Sequence, residues 1–360
     1  MQRRQFLLSM AAGAAASAVL PGMAGASAGN DPAPPAPDAA SLPRRRLGTT
    51  GLEIAPVVLG GNVFGWSIDE KASFEVLDAF VDLGFDAIDT ADVYSRWAPG
   101  NSGGESETII GRWLKARPGL RGKVKLFTKV GGDMGAPERK GLSPRWIATA
   151  CEDSLRRLGV ETIDVYFSHF PDADTPHEET LRAFETLIRD GKVRAIGASN
   201  FSAEQLSAAL EAARKNGLPA YQVFQPGYNL YDREGFEAGL RDLCLREGLG
   251  VVTYSSLASG FLTGKYRSED DLDQSVRGGG VGRKYLNPRG LAILEAMDQV
   301  AARHGVQLAE LALAWLLAQP GVTAPIAGAT KRSHVETFAR AAALRLDTDD
   351  LATLDRASTT

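Results

Sequence analysis

The sequence predicts an α/β fold, a single (β/α)8 TIM barrel with extra helices between the seventh and eighth strands and at the C-terminus. Three observations carry that expectation. From about residue 57 onward, short apolar runs alternate with longer stretches of helical periodicity, the pattern of strand-helix units around a parallel sheet. Eight such runs fall within about 300 residues, the size of one barrel rather than of two nucleotide-binding halves. No G-x-G-x-x-G follows a strand and opens a helix, since the glycine-rich stretch 278–282 has no strand immediately before it and reads as a mobile loop in the long insertion.

Taken in order, the chain opens with Arg3 and Arg4, an apolar stretch to Leu20, and Ala26-Ser27-Ala28. A paired arginine, a short apolar core and an A-x-A site read as a twin-arginine export signal over residues 1–28, too short and alanine-diluted to span a membrane. The export machinery is then an expected partner and the periplasm the expected location, with the cytoplasm as the alternative if the signal is not used. Residues 29–44, rich in proline and alanine, read as an extended tether before a barrel domain at 45–360.

Within the barrel, strands are expected at 57–61, 87–90, 125–130, 163–169, 193–197, 221–225, 250–254 and 322–326. Helices are expected at 69–83, 107–117, 144–158, 176–189, 203–215 and 236–246, with 288–303 and 308–318 in the insertion. Ser143-Pro144 and the capping box from Ser202 to Gln205 mark starts, while Gly84, Gly159, Gly191 and Gly217 mark stops. Composition narrows the function classes. Forty Lys and Arg against 44 Asp and Glu give a net charge of −4, with no basic excess for a nucleic-acid partner. Cys151 and Cys244 lie near no second cysteine or histidine at ligand spacing and read as buried hydrophobes.

Active sites of such barrels lie at the carboxyl ends of the strands, and three consecutive ends carry chemistry: Asp89, Lys129 and His169. Adjacent strands are about 4.8 Å apart, so the three side chains can meet. A lysine among Phe127 and Val130 needs a buried partner, which the neighbouring Asp89 supplies. Tyr94, five residues beyond Asp89, can fold back over the mouth; an ammonium beside it would draw its pKa down and make it a usable proton donor. His169 would then donate a hydrogen bond to a carbonyl oxygen and hold it against Tyr94.

The segments 84–94 (GFDAIDTADVY), 127–129 (FTK) and 163–169 (IDVYFSH) resemble the catalytic segments of the aldo-keto reductases, whose Asp, Tyr, Lys and His carry over to Asp89, Tyr94, Lys129 and His169. The resemblance runs from Arg45 to about Ser358 and continues in order through 197–200, 225–229, 252–257, 260–265 and 326–331. It implies that Tyr254 stacks on a nicotinamide, that Ser199, Asn200 and Gln225 hold its carboxamide, and that the stretch from Ser255 through Leu257 and Gly260 to Lys265 follows the pyrophosphate. Gly328, Thr330, Lys331 and Arg332 follow the last strand and open a helix, where amides, the helix dipole and the two cations suit a phosphate, which favours NADP(H). His334 and Phe338 stand where many members have Gln and Asn near the adenine. The implied reaction is hydride transfer between the nicotinamide and a carbonyl carbon, with Tyr94 protonating the oxygen and no metal required. Phe64, Trp66 and Trp97 are expected to line an apolar pocket for an aldehyde, ketone or sugar-like carbonyl. Two alternatives remain: a barrel that binds NADP as a sensor or accessory subunit, and a phosphate-binding lyase or isomerase with Lys129 as a Schiff base.

Overall fold

The computed structural model describes residues 42–359, so the expected signal segment and residues 29–41 of the tether lie outside the described residues. A two-stranded antiparallel hairpin, β1 (Arg45–Arg46) with β2 (Glu53–Ile54), precedes the barrel. The barrel strands are β3 (Val58–Gly60), β4 (Ala87–Asp89), β5 (Lys125–Val130), β6 (Ile163–Ser168), β7 (Val193–Ser199), β8 (Val223–Gln225), β9 (Gly250–Thr253) and β10 (Ala324–Ala327). All pair in parallel, and β10 closes on β3. Around them lie α1 (Glu70–Asp82), α2 (Glu105–Ala116), α3 (Pro144–Leu158), α4 (His177–Arg189) and α5 (Ala203–Asn216). The second half adds α6 (Glu234–Glu237), α7 (Leu240–Glu247), α8 (Gly278–Tyr285), α9 (Pro288–His304), α10 (Leu308–Ala318), α11 (Arg332–Ala343) and α12 (Thr348–Ser358). The expected (β/α)8 barrel with an elaborated connection before its last strand is therefore the fold.

Two-residue periodicity decides what faces the barrel axis. Val58, Ala87, Phe127, Val165, Phe167, Ala195, Val223, Val252 and Ala324 fill the interior. Asp89 and Lys129 share parity with Ala87 and Phe127 one layer nearer the carboxyl ends, so the same alternation delivers both charges to the mouth. Gly197 is required on β7, because a Cβ there would lie 2.4 Å from the Phe167 ring. At the opposite end the hairpin seals the barrel: Leu47 and Ile54 are fully buried against the interior set. Asp86 binds the hairpin in place, pairing with Arg44, taking Lys125 Nζ at 2.6 Å and accepting from Ala55 N at 2.9 Å. Strands of two residues each carry no periodicity, which is why sequence pattern does not find this hairpin.

Two expectations are corrected. The stretch 278–282 is the first turn of α8 rather than a mobile loop; Gly278 is packed so tightly that a Cβ would sit 1.7 Å from Leu272 O. Its glycines permit close docking on the 3-10 segment Glu269–Gln274, whereas in isolation they read as flexibility. The single helix expected at 236–246 is two, α6 and α7, divided at Gly239 with φ +100°. Among the described residues no helix is long and apolar enough to cross a membrane.

Candidate active site

Lys129 is fully buried on β5, and its Nζ meets three oxygens: Asp89 Oδ2 at 2.7 Å, Thr90 O at 2.7 Å and Tyr94 OH at 2.9 Å. Three acceptors match the three protons of an ammonium. Asp89 is fixed on its other oxygen by Gln225 Nε2 at 2.9 Å, and its Oδ2 also lies 3.4 Å from Tyr94 OH. The loop between β4 and α2 returns Tyr94 over the mouth, helped by Ser95 at φ +71°, whose hydroxyl donates to Phe64 O at 2.6 Å. The Lys129 ammonium also lies 4.5 Å from the centre of the Tyr94 ring. His169 follows β6 directly and packs edge-on to Tyr94 with ring centres 6.1 Å apart. The three side chains expected at the strand ends and the loop residue Tyr94 are thus brought together.

The electrostatics differ from expectation at Tyr94. Its pKa is pushed well above the usual phenol value, by burial and then by the Asp89 carboxylate, rather than drawn down by Lys129. The carboxylate that holds the ammonium also faces the phenol, so the two charges oppose one another at the hydroxyl. A neutral phenol, the form that can donate a proton, is what the site holds. Burial also lowers Lys129 from its ordinary value, against the opposing pull of Asp89. His169 is held well below the usual histidine range by burial and by Lys129, so its imidazole is neutral; its Nδ1 is buried without a hydrogen-bond partner.

Asp89, Tyr94 and His169 form the floor of a cleft of about 1640 Å³, with Lys129 buried beneath them. Its walls include most of the remaining expected residues: Ser199, Asn200, Gln225, Tyr254, Ser255, Leu257, Gly260, Lys265, Gly328, Thr330 and His334, with Trp66 and Trp97. Lys331 is not on the wall, because its side chain is exposed where α11 begins. Phe64 is also off the wall, fully buried in the outer core, since the bend after β3 turns it inward. Cys151 and Cys244 are buried, with thiols pushed up to about 12.

Ser199, Asn200, Gln225 and Tyr254 are tied to one another. Ser199 Oγ donates to Gln225 O at 2.8 Å, Asn200 Nδ2 to His169 O at 2.8 Å, and Tyr254 OH to Asn200 Oδ1 at 2.7 Å. With the Gln225–Asp89 bond, the chain of contacts runs from the wall to the catalytic floor. Non-glycine residues at positive φ gather at the cleft: besides Ser95 they are Asn200, Ser255, Ala258 and Ser259. Such backbone persists only where surroundings enforce it, and it clusters at ligand-binding loops. Gly227 lies behind Tyr254, where a Cβ would come within 3.1 Å of the ring. An aromatic face over the floor, a strained loop beside it and a polar far end fit an extended dinucleotide.

Sequence reasoning missed several residues here. Phe170 stacks on His169 at 4.5 Å, and Trp66 meets Trp97 edge-on at 5.5 Å, so the rim is more aromatic than two tryptophans suggest. Arg277 crosses from the insertion to lie 5.0 Å from the Trp66 ring centre, with Nη2 buried and unpartnered. Behind the floor, Glu107 accepts from Thr128 Oγ1 at 2.5 Å and Arg157 Nε at 2.7 Å. Asp92 is buried beside this group with neither oxygen hydrogen-bonded, and burial followed by Glu107 raises its pKa well above the carboxylate range. The acid three residues beyond Asp89 is visible in sequence, but its neutrality arises only from packing.

Comparison with known proteins agrees with this geometry. The model of the aldo/keto reductase family matches residues 56–359. A probable voltage-gated potassium channel subunit beta of Oryza sativa subsp. japonica is 35% identical over 297 residues, covering 81% of this chain and 88% of its own. An uncharacterized oxidoreductase of Bacillus subtilis is 35% identical over 317 residues, covering 86% and 94%. The L-glyceraldehyde 3-phosphate reductase of Escherichia coli K12 is 31% identical over 321 residues, covering 87% and 91%. A match across nearly all of the barrel, with relatives named as reductases and a cleft that carries the strand-end tetrad, establishes that the chain belongs to the aldo/keto reductase family and is an oxidoreductase.

Proposed function

We propose that the chain is an NADP(H)-dependent reductase of aldehydes, ketones or sugar-like carbonyls, with Tyr94 as proton donor. The observation that carries this reading is the position of Lys129 Nζ, shared among Asp89, Thr90 O and Tyr94 OH beneath an open cleft. When bound, the dihydronicotinamide supplies a hydride to the carbonyl carbon. This chain's residues do the rest. Tyr254 offers the stacking face, and Ser199, Asn200 and Gln225 offer polar atoms to a carboxamide. The loop from Ser255 through Leu257 and Gly260 to Lys265 follows the phosphates, while Gly328, Thr330, Lys331 and His334 lie toward the far end. His169 and Tyr94 orient the substrate oxygen; the phenol gives up its proton, and Lys129 stabilises the phenolate left behind. Trp66 and Trp97 make the apolar side of the pocket, joined by Phe170.

The test is steady-state reduction of 4-nitrobenzaldehyde with NADPH and with NADH. Tyr94→Phe is expected to lower kcat by about 10²-fold or more while leaving NADPH binding intact, the usual scale for losing a positioned proton donor. Activity that survives the substitution would remove Tyr94 from the role. Tight NADPH binding without turnover of any carbonyl would favour an accessory-subunit function, as the name of the potassium-channel relative suggests for that protein. Export is a separate proposal that rests on Arg3 and Arg4: cell fractionation should find the protein in the periplasm with nucleotide already bound, and replacing both arginines by lysine should retain it in the cytoplasm.

A further inference from the structure

Tyr254 follows β9 directly and faces the cleft, with Gly227 so close behind its ring that a Cβ there would come within 3.1 Å. That contact limits the ring from the back, and the hydroxyl fixes its far end. The hydroxyl reaches Asn200 Oδ1 at 2.7 Å, while Asn200 Nδ2 reaches His169 O at 2.8 Å and Ser199 Oγ at 3.1 Å. The protons of this chain of bonds follow by elimination. A backbone carbonyl can only accept, so the amide nitrogen of Asn200 must face His169. Ser199 Oγ spends its own proton on Gln225 O, so it too accepts from Nδ2. Both protons of the Asn200 amide are then committed, its oxygen points to Tyr254, and the phenol is the donor. One side-chain amide thus joins the aromatic wall after β9 to the main chain at the end of β6.

The imidazole at that end has no comparable anchor on Nδ1, which is buried without a partner, and packing holds the ring instead: Phe170 stacked at 4.5 Å and Tyr94 edge-on at 6.1 Å. Main-chain bonds therefore set where the imidazole stands. The His169 amide donates to Val130 O at 2.8 Å, and its carbonyl takes the Asn200 amide. Asn200 makes that bond from φ +63°, a left-handed conformation that asparagine adopts more readily than most residues but that its surroundings must still enforce. We propose that the Tyr254 hydroxyl is a positioning group, which through Asn200 holds the nicotinamide-stacking face and the His169 imidazole in register. The proposal rests on the cofactor reading above and goes beyond it: stacking needs only the ring, whereas register needs the hydroxyl. Register matters because a misplacement of about 1 Å can cost about 10²-fold in rate.

The test compares the full chain with Tyr254→Phe, which keeps the ring and removes only the oxygen. The chain has four histidines, so histidine-selective proton NMR of the nucleotide-free protein can follow each one. The His169 signal, identified by its loss in His169→Gln, is expected to move in Tyr254→Phe, because the flanking Phe170 and Tyr94 rings make its shift sensitive to small displacements. That of His304, held by Asp350 at the end of α9, should stay in place. Fluorescence titration should give an NADPH Kd within about threefold of the parent's. The single-turnover rate of 4-nitrobenzaldehyde reduction at saturating NADPH should fall by about tenfold or more. A double-mutant cycle identifies the route: Asn200→Gly, which suits φ +63°, should itself lower that rate, and adding Tyr254→Phe should then cost less than about twofold. An unmoved His169 signal or a parental rate in Tyr254→Phe would overturn the inference, as would an equal cost of the substitution with and without the Asn200 amide. If Tyr254→Phe does not fold, the His169 signal of Asn200→Gly decides, a shift supporting the link and its absence refuting it. Failure of the unaltered chain to bind NADPH or NADH would overturn the cofactor reading and this inference with it.

Discussion

The three oxygens around Lys129 Nζ set the residue-scale behaviour of the site. Removing the cation by Lys129→Met leaves the Asp89 carboxylate buried with only Gln225 and the longer Tyr94 hydroxyl contact as donors, and breaking a buried pair from one side costs about 3–5 kcal/mol. A urea unfolding midpoint should fall accordingly, and adding Asp89→Asn should recover part of the loss. Tyr94, raised by burial and Asp89, stays protonated well into the alkaline range. Carbonyl reduction should therefore show no basic limb near the ordinary phenol value, whereas the reverse oxidation, which needs the phenolate, should accelerate as pH rises. His169 is held low and remains neutral until pH falls well below 6.5, so a pH profile of kcat/KM for reduction should lack a histidine limb in that region. Asp92 gives a stability signal of opposite sense to a paired carboxylate. Its folded-state pKa is raised, so the folded chain keeps a proton that the unfolded chain releases near pH 4. Stability contributed by that proton is lost as pH rises above 4 toward the folded value, by about 1.4 kcal/mol per pH unit, and Asp92→Asn should flatten the slope in thermal unfolding curves. The residue identities behind these outcomes are legible in sequence; the signs at Tyr94 and Asp92 are not, because they depend on which charges share a buried volume.

At the scale of elements, the long connection between β9 and α9 behaves as a docked arm rather than a loose loop. The segment Glu269–Gln274 and α8 pack on each other, with Gly278 against Leu272 O and Gly282 against the Leu272 side chain. Gly278→Ala cannot be accommodated without moving backbone. It should loosen the arm and weaken nucleotide binding, read by faster proteolysis within 265–285, while the barrel's main thermal transition stays near that of the parent. Retention of both binding and protease resistance would show that the arm tolerates displacement. Helix limits with strong signals were legible: the Ser143 and Ser202 starts and the Gly159 and Gly217 stops all appear as expected caps. The α6–α7 division was not, because Gly239 within an otherwise helical run can be tolerated or can break it; in the fold it takes φ +100°, with Phe236 and Leu240 buried on either side.

For the whole molecule, the barrel opens at its mouth into the cleft and is closed at its base by the hairpin. Leu47 and Ile54 plug the interior, with Asp86 joining hairpin, β4 and β5 through Arg44, Ala55 and Lys125. Leu47→Ala should destabilise by about 2–5 kcal/mol, the range for emptying a packed leucine site. The urea midpoint should report that loss with little change in KM, because the plug lies at the far end from the cleft. A large change in KM at unchanged stability would show that base and mouth are coupled.

The sequence by itself determined the fold and the composition of the catalytic floor. Eight apolar runs alternating with helical stretches close one barrel, and strand parity carries Asp89 and Lys129 to the same end of it. Both are local signals, repeated along the chain and set by backbone geometry. Tertiary structure alone decided the direction of the Tyr94 pKa, the neutrality of Asp92, the exclusion of Phe64 and Lys331 from the cleft wall, and the placement of Arg277 over Trp66. Each depends on burial or on a charge brought from a distant segment. Electrostatic energy follows distance through the folded volume, and sequence spacing does not encode that distance.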